Sequence, residues 1–150
     1  MFKTLLAQNE LHASTAPLAA TLLRVTLGVA FLAHGLLKVL VFTPAGTVAF
    51  FESQGFPGVT AYAVIFAEVA GGLALILGLH TRAVALALVP VLLGAALVHL
   101  PNGWVFSNPG GGWEFPVIWI FANLVQALLG DGAFALRSPL SSFIASGEAR

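Results

Sequence analysis

The sequence predicts an all-α membrane protein, a four-transmembrane-helix bundle with a short interfacial helix between spans one and two. Three observations predict this fold class: 59% of the 150 residues are hydrophobic, only 8% are charged, and the apolar residues form four long segments. Ordinary soluble domains are about 45–50% apolar and about 25% charged. A soluble domain of this size could not bury so much apolar surface, whereas a lipid bilayer accepts it.

The composition also excludes several classes of function. Six basic residues balance six acidic ones, so the chain lacks the positive field that attracts nucleic acid. Cysteine is absent, which excludes disulfides, thiolate metal sites and cysteine nucleophiles. Any redox chemistry would therefore need a bound cofactor or a partner protein to carry the electrons.

The four apolar segments have lengths close to those that cross a bilayer. About 20 apolar residues span the hydrocarbon, with a range of about 17–25. The predicted spans are residues 17–41, 59–79, 83–100 and 115–136. Gly130-Asp131-Gly132 interrupts the fourth span and is expected to mark its exit from the membrane. No repeat or linker divides the chain, so residues 1–150 are predicted to form one domain.

Local signals predict where helices begin and end. Pro17 suits the first turn of a helix, and residues 1–15 could lie along the membrane interface. Thr43-Pro44 is an N-cap followed by a first-turn proline, and Gly55 can end a helix. The stretch between them is therefore predicted to be the short interfacial helix.

The basic residues predict the orientation in the membrane. They precede span one, occupy the turn between spans two and three, and follow span four: Lys3, Arg82, Arg137 and Arg150. The two longer connections, residues 42–58 and 101–114, contain no Lys or Arg. The positive-inside rule therefore places both termini in the cytoplasm and both longer connections outside.

Ionisable residues within the predicted spans are informative, because a charge there is costly unless it is paired or hydrated. Arg24 lies about 10 Å from the start of span one, and Glu68 about 14 Å into span two. Arg24 or His34 could be the partner of Glu68, and we hypothesise an Arg24–Glu68 ion pair between closely packed helix faces. Such a pair could have a purely structural role and fix the register of the two helices. Alternatively, Glu68 could be a proton or ligand site. The small residues on these faces are Gly28 and Gly35 on span one, and Gly71 and Gly72 on span two.

A second polar group is predicted near the outer ends of the spans. It contains His34, Lys38, His99 and Glu114. His34 and Lys38 are four residues apart and share one helix face. Histidine can shuttle protons near neutral pH. Alternatively, these histidines could have a purely structural role and form hydrogen bonds at the membrane interface. Their spacing carries no metal-ligand signature, so no metal site is predicted.

Several short phrases match one known family when they are taken in order. They are RVTLG at 24–28, HGLLK at 34–38, FFE at 50–52, GFP at 55–57, EVAGG at 68–72, LGLHTR at 77–82, HLPNG at 99–103, GGWE at 111–114 and LGDG at 129–132. Together, over about residues 16–136, they resemble the DoxX family of small bacterial inner-membrane proteins. The chain departs from the family pattern at Arg137, where an acidic residue is frequent.

The resemblance implies a four-helix protein of the inner membrane. The family takes its name from a subunit linked to a terminal quinol oxidase, and it is similar to subunits of thiosulfate:quinone oxidoreductase. Some members are associated with partners in oxidative-stress defence. The matching positions that could bear a family role are Arg24, His34, Lys38, Glu68, His99 and Glu114.

Three functions fit these observations. The first is an accessory subunit of a quinone-linked redox or oxidative-stress system, in which His34 or His99 would bond a quinone carbonyl and Glu68 or Glu114 would move a proton. Its partner would be a membrane or periplasmic oxidoreductase, and a homo-oligomer is also open. The second is a non-catalytic scaffold or assembly subunit, and the third is a small transporter that uses Glu68. The sequence does not decide whether the chain is an enzyme.

Overall fold

The computed structural model describes the backbone of residues 2–136 and the side chains of residues 15–136. These residues form five α-helices and a short 3-10 helix, with no strand among them. The elements are α1 (Phe2–Leu40), α2 (Pro44–Ser53), α3 (Val59–Leu77), α4 (Thr81–His99), the 3-10 helix Leu100–Asn102, and α5 (Glu114–Leu129). The all-α prediction is confirmed, as is a short helix between the first two long ones. Arg137 and Arg150 lie outside the described residues.

Two helix ends differ from the prediction. α1 begins at Phe2 instead of Pro17, because the residues before the proline include three leucines and three alanines, which favour a helix. α5 ends at Leu129, and the backbone of Gly130 turns away with φ of 82°. The segment 130–136 is not helical, so the fourth apolar helix is shorter than the predicted span 115–136.

The four long helices form a ring. α1 packs most extensively on α3, and α4 packs most extensively on α5. Contacts between α3 and α4, and between α1 and α5, close the ring. The buried apolar core between the helices consists of Leu27, Phe31, Leu75, Ala85, Leu88, Leu92 and Ile120.

Glycines set the distance between α1 and α3. A Cβ at Gly72 would lie 2.7 Å from the backbone nitrogen of Leu32 and 2.8 Å from the carbonyl oxygen of Gly28. A Cβ at Gly35 would lie 2.7 Å from the side chain of Val69. The backbones therefore approach more closely than any larger residue would allow. The predicted glycine packing between α1 and α3 is confirmed, except that Gly71 faces α4.

Three helical segments are long and apolar enough to cross a membrane: Thr15–Leu40, Val59–Leu77 and Thr81–Asn102. α5 is also apolar but has 16 residues, which gives a length of about 24 Å. Large apolar side chains are exposed along all four long helices. Such an outer surface suits lipid rather than water.

The two ends of the bundle differ. At one end, here called the α2 end, α1 and α4 finish and α3 and α5 begin. α2 is held there by Thr47, whose hydroxyl lies 3.1 Å from the carbonyl oxygen of Lys38. The predicted cap of α2 is confirmed, since the Thr43 hydroxyl accepts a hydrogen bond from the Gly46 backbone N–H. At the other end, here called the Asp131 end, residues 130–136 fold back onto α1 and α3.

Candidate functional site

The α2 end contains a cavity of about 490 Å³. All four long helices, α2 and the α4–α5 loop contribute to its wall. Its volume lies within the range of roughly 300–1,000 Å³ that is typical of small-molecule sites. The polar lining includes four of the residues singled out in the sequence: His34, Lys38, Glu68 and His99.

Lys38 and Glu68 form an ion pair on the wall of this cavity. The ammonium group of Lys38 donates to both carboxylate oxygens of Glu68, over 2.9 and 2.7 Å. The side chains are only 18% and 8% exposed. An ammonium has three donors, so one N–H of Lys38 stays available after both oxygens of Glu68 are satisfied.

The predicted pairing of Glu68 with Arg24 is wrong, and helix register is the reason. Arg24 donates from one guanidinium nitrogen to the carbonyl oxygens of Leu75 and Ile76, over 2.9 and 3.0 Å. Glu68 lies eight residues before Ile76, which is about 12 Å along α3. Arg24 therefore stabilises the C-terminal end of α3, where exposed carbonyls favour a cation.

The segment after α5 packs at the Asp131 end of the bundle, beside Arg24. The Thr21 hydroxyl and the Arg24 guanidinium both donate to the carbonyl oxygen of Ala133, at 2.6 and 3.4 Å. A Cβ at Gly132 would meet the backbone of Thr21, so the segment fits only with glycine there. Arg24 is buried. Its hydrogen bonds hold the Asp131 end together, and it does not line the cavity.

His34 projects from α1 into the cavity wall. Its Nδ1 lies 2.9 Å from the carbonyl oxygen of Ala30, one turn earlier on the same helix. Its ring stands edge to face against Trp119 of α5, with centroids 5.0 Å apart. Trp119 also stacks on Phe31 at 4.6 Å, so the histidine rests against an aromatic wall that joins α1 to α5.

His99 ends α4 and organises the loop that follows. Its Nδ1 lies 3.0 Å from the carbonyl oxygen of Gly110 and 3.1 Å from that of Gly111. Asn102 donates from its side-chain amide to the same two oxygens, over 3.1 and 2.9 Å. The side chain of Asn108 donates in turn to the Asn102 carbonyl oxygen over 2.8 Å. The loop is therefore tied to the histidine rather than free.

Glu114 is the one member of the predicted outer group that does not line the cavity. It begins α5, and its carboxylate accepts a hydrogen bond of 3.2 Å from the backbone N–H of Phe106. Trp104 and Trp113, predicted for an interfacial belt, stand edge to face with centroids 4.4 Å apart. These contacts give Glu114 a structural role in closing the loop.

Most of the cavity lining is apolar and was not predicted from the sequence. Aromatic rings come from α2, α5 and the turn before α3, and α4 contributes small residues and a proline: Phe50, Phe51, Phe56, Phe115, Trp119, Pro90, Gly94 and Ala95. A Cβ at Gly94 would meet nothing within 4 Å. Gly94 therefore leaves open space beside α4 in the cavity, which a ligand could occupy.

The arrangement can hold a flat apolar molecule and offer it a few polar contacts. The described residues contain no group of three histidine or acidic side chains that could hold a metal ion. Lys38–Glu68 and the two histidines can offer such a molecule hydrogen bonds and proton transfer.

Comparison with known proteins identifies the family of the chain. The DoxX family model matches residues 19–100. A protein of Bacillus subtilis (strain 168) named "Putative oxidoreductase CatD" is 33% identical over 115 residues, which cover 77% of this chain and 81% of the relative. No solved structure gives a significant match. The chain is a helical membrane protein and belongs to the DoxX family.

Proposed function

We propose that the protein is an accessory component of a quinone-linked redox or oxidative-stress system, and that its cavity at the α2 end binds the quinone/quinol head. The observation that carries the proposal is one apolar cavity that brings together the pair Lys38–Glu68 and the histidines His34 and His99. The relative's name, which contains the word oxidoreductase, supports the same class of function.

The lining suits a quinone head for two reasons. Flat rings pack well against aromatic side chains in offset or edge-on arrangements, and Trp119, Phe115 and Phe51 supply such surfaces. The polar groups are few and lie among these rings, as is usual where a small number of hydrogen bonds fixes a ligand's orientation. The chain has no cysteine, so the electrons would come from a bound cofactor or from a membrane or periplasmic oxidoreductase partner.

We also propose that the protein lies in the bacterial inner membrane with a defined orientation. α5 would complete four crossings, with both termini in the cytoplasm and the α2 end outside. The Arg82 turn lies at the Asp131 end, and the α4–α5 loop without basic residues lies at the α2 end. Basic residues at the cytoplasmic side support this orientation. The cavity would then open near the outer leaflet, where quinones in lipid could reach it.

Ligand binding by the purified protein in nanodiscs tests the proposal, with decylubiquinone and its quinol as probes. Wild type is expected to bind the pair saturably. Gly94→Leu should fill the cavity and abolish binding, because Gly94 lines the cavity and faces open space. Glu68→Gln should weaken binding by releasing Lys38, whereas Glu52→Gln is the matched control on the exposed side of α2.

The outcomes separate the candidate functions. Saturable binding that Gly94→Leu removes, in a variant that keeps its helical content, supports the proposal. A stable wild-type protein that binds neither form overturns it. In that case the non-catalytic scaffold function would be next, and loss of a captured partner in the Glu68→Gln variant would be its first test.

A further inference from the structure

The two histidines of the cavity each direct Nδ1 at a backbone carbonyl oxygen. Nδ1 of His34 contacts the Ala30 carbonyl oxygen, and Nδ1 of His99 contacts the carbonyl oxygens of Gly110 and Gly111. A carbonyl oxygen only accepts hydrogen bonds. Each Nδ1 must therefore carry the hydrogen and donate it.

This tautomer decides what the far side of each ring offers. In a neutral imidazole whose Nδ1 carries the hydrogen, Nε2 is an acceptor with a free lone pair. Neither Nε2 has a hydrogen-bond partner among the described residues. Two imidazole acceptors without a protein partner therefore belong to side chains that line the cavity.

His99 is fixed in this state by more than its own bond. Asn102 donates to the same two carbonyl oxygens, and so keeps them in place. The carbonyls of the 110–111 turn are thereby aimed at Nδ1, and Asn102 is a positioning residue for the histidine. A hydrogen-bonded second group that sets the tautomer of a functional histidine is a common arrangement.

We propose that the cavity binds the reduced, dihydroxy form of its aromatic ligand in preference to the oxidised, dicarbonyl form, and that hydroxyl groups of this ligand donate to Nε2 of His34 and of His99. The proposal rests on the quinone-linked function proposed above and names the redox form that the site recognises. It also reverses the expectation that a histidine donates to a quinone carbonyl.

The donor and acceptor inventory explains the preference. A quinol hydroxyl can donate to Nε2 and can also accept the remaining N–H of Lys38. A quinone carbonyl can accept from Lys38 but offers nothing to the two imidazole lone pairs. Polar groups left unpaired in an apolar cavity weaken binding, and rejection of the analogue that lacks the matching hydroxyl follows from the same effect.

Binding of both redox forms to the full chain in nanodiscs, under anaerobic conditions, tests the proposal. Decylubiquinol is expected to bind wild type roughly ten-fold more tightly than decylubiquinone. His99→Asn keeps an amide N–H near the Nδ1 position for the loop carbonyls but removes Nε2. This variant should lower the ratio of quinol affinity to quinone affinity, because one of the two Nε2 acceptors is lost, and the quinol affinity should fall by more than the quinone affinity. His80→Asn, outside the cavity, is the matched control.

Nitrogen-15 NMR of histidine-labelled protein supplies a second readout that a purely structural role would not move. The Nδ1 of His34 and His99 should appear protonated and the Nε2 unprotonated, and decylubiquinol should shift the Nε2 signals. Asn102→Ala should release the His99 tautomer while leaving that of His34.

The experiments distinguish failure of the redox-form proposal from failure of the quinone-linked function. If the quinone binds as tightly as the quinol, or if either Nε2 carries the hydrogen in the unliganded protein, the redox-form proposal is overturned and the quinone-linked function stands. If neither form binds a folded wild-type protein, both proposals fall together.

Discussion

Lys38 and Glu68 join α1 to α3 through a two-point contact, with the ammonium nitrogen 2.9 and 2.7 Å from the two carboxylate oxygens. Both side chains are largely withdrawn from solvent. The pair lies at the level where Gly35 lets α3 approach α1. One contact therefore fixes the helix pair and supplies charge to the cavity wall.

Removing one member of this pair is expected to destabilise the protein. Lys38→Met leaves the Glu68 carboxylate buried without its cation, and breaking a buried ion pair in this way lowers the free energy of unfolding by roughly 3–5 kcal/mol. Adding Glu68→Gln removes the orphaned charge, so the double variant should recover part of the loss. Reversible unfolding in mixed micelles, followed by circular dichroism, measures all three proteins.

Charge reversal identifies the partner independently. Lys38→Glu combined with Glu68→Lys should be more stable than either single variant. Arg24→Glu combined with Glu68→Arg should not, because Arg24 lies level with Ile76 and contacts its carbonyl oxygen. Recovery in the second double variant and not in the first would contradict the observed pairing.

Arg24→Met is expected to lower the free energy of unfolding by about 3 kcal/mol, since charge-assisted hydrogen bonds to the carbonyls of Leu75 and Ile76 are lost. Arg82→Met is the matched control, because Arg82 is exposed and surface changes usually stay within about 0.5 kcal/mol. The same unfolding assay reports both. Ligand binding by folded Arg24→Met should match wild type, and a selective loss of binding would place Arg24 in the functional site instead.

The sequence predicted the glycine-lined packing of α1 on α3 because small residues beside a charge are readable from helical periodicity. Of the predicted outer group, His34, Lys38 and His99 line one cavity and Glu114 does not. The partner of Glu68 was missed because it depends on the register between α1 and α3. Arg24 and Lys38 lie about four helical turns apart on α1, and Glu68 was predicted at a depth between the two ends of that helix. Which of them it meets depends on how far α3 is displaced along α1, and the span boundaries do not fix that displacement.

The aromatic wall of the cavity could not be predicted for a different reason. In a soluble helix, apolar residues mark the buried face. In a helix surrounded by lipid, both faces are apolar, so Trp119 in the cavity and Phe121 on the exposed surface look alike in the sequence. The loop that holds His99 depends on contacts of Asn102 with residues eight and nine positions later, which no local pattern reveals.

Gly72→Ala is expected to destabilise the protein by about 1–3 kcal/mol, because the added methyl group would press on backbone atoms of Leu32 and Gly28 that a rotamer change cannot move. Gly94→Ala is the matched control in the interior of α4, where a Cβ meets nothing within 4 Å. Alanine favours the helix over glycine, so this control should be neutral or stabilising. Equal losses in the two variants, measured by thermal unfolding, would contradict the close approach of α1 and α3.

α5 is expected to cross the membrane, which places its two flanking segments on opposite sides. Ser107 precedes α5 and Asp131 follows it, and both are exposed. Because the chain has no cysteine, Ser107→Cys and Asp131→Cys provide single reporters for a membrane-impermeant maleimide applied to spheroplasts. Ser107→Cys should be labelled and Asp131→Cys should react only after the membrane is opened, with Gln54→Cys as an outer-side control. Labelling of both flanks in intact spheroplasts would mean that a helix of about 24 Å returns to the side it entered from, and the bundle would then cross the bilayer three times.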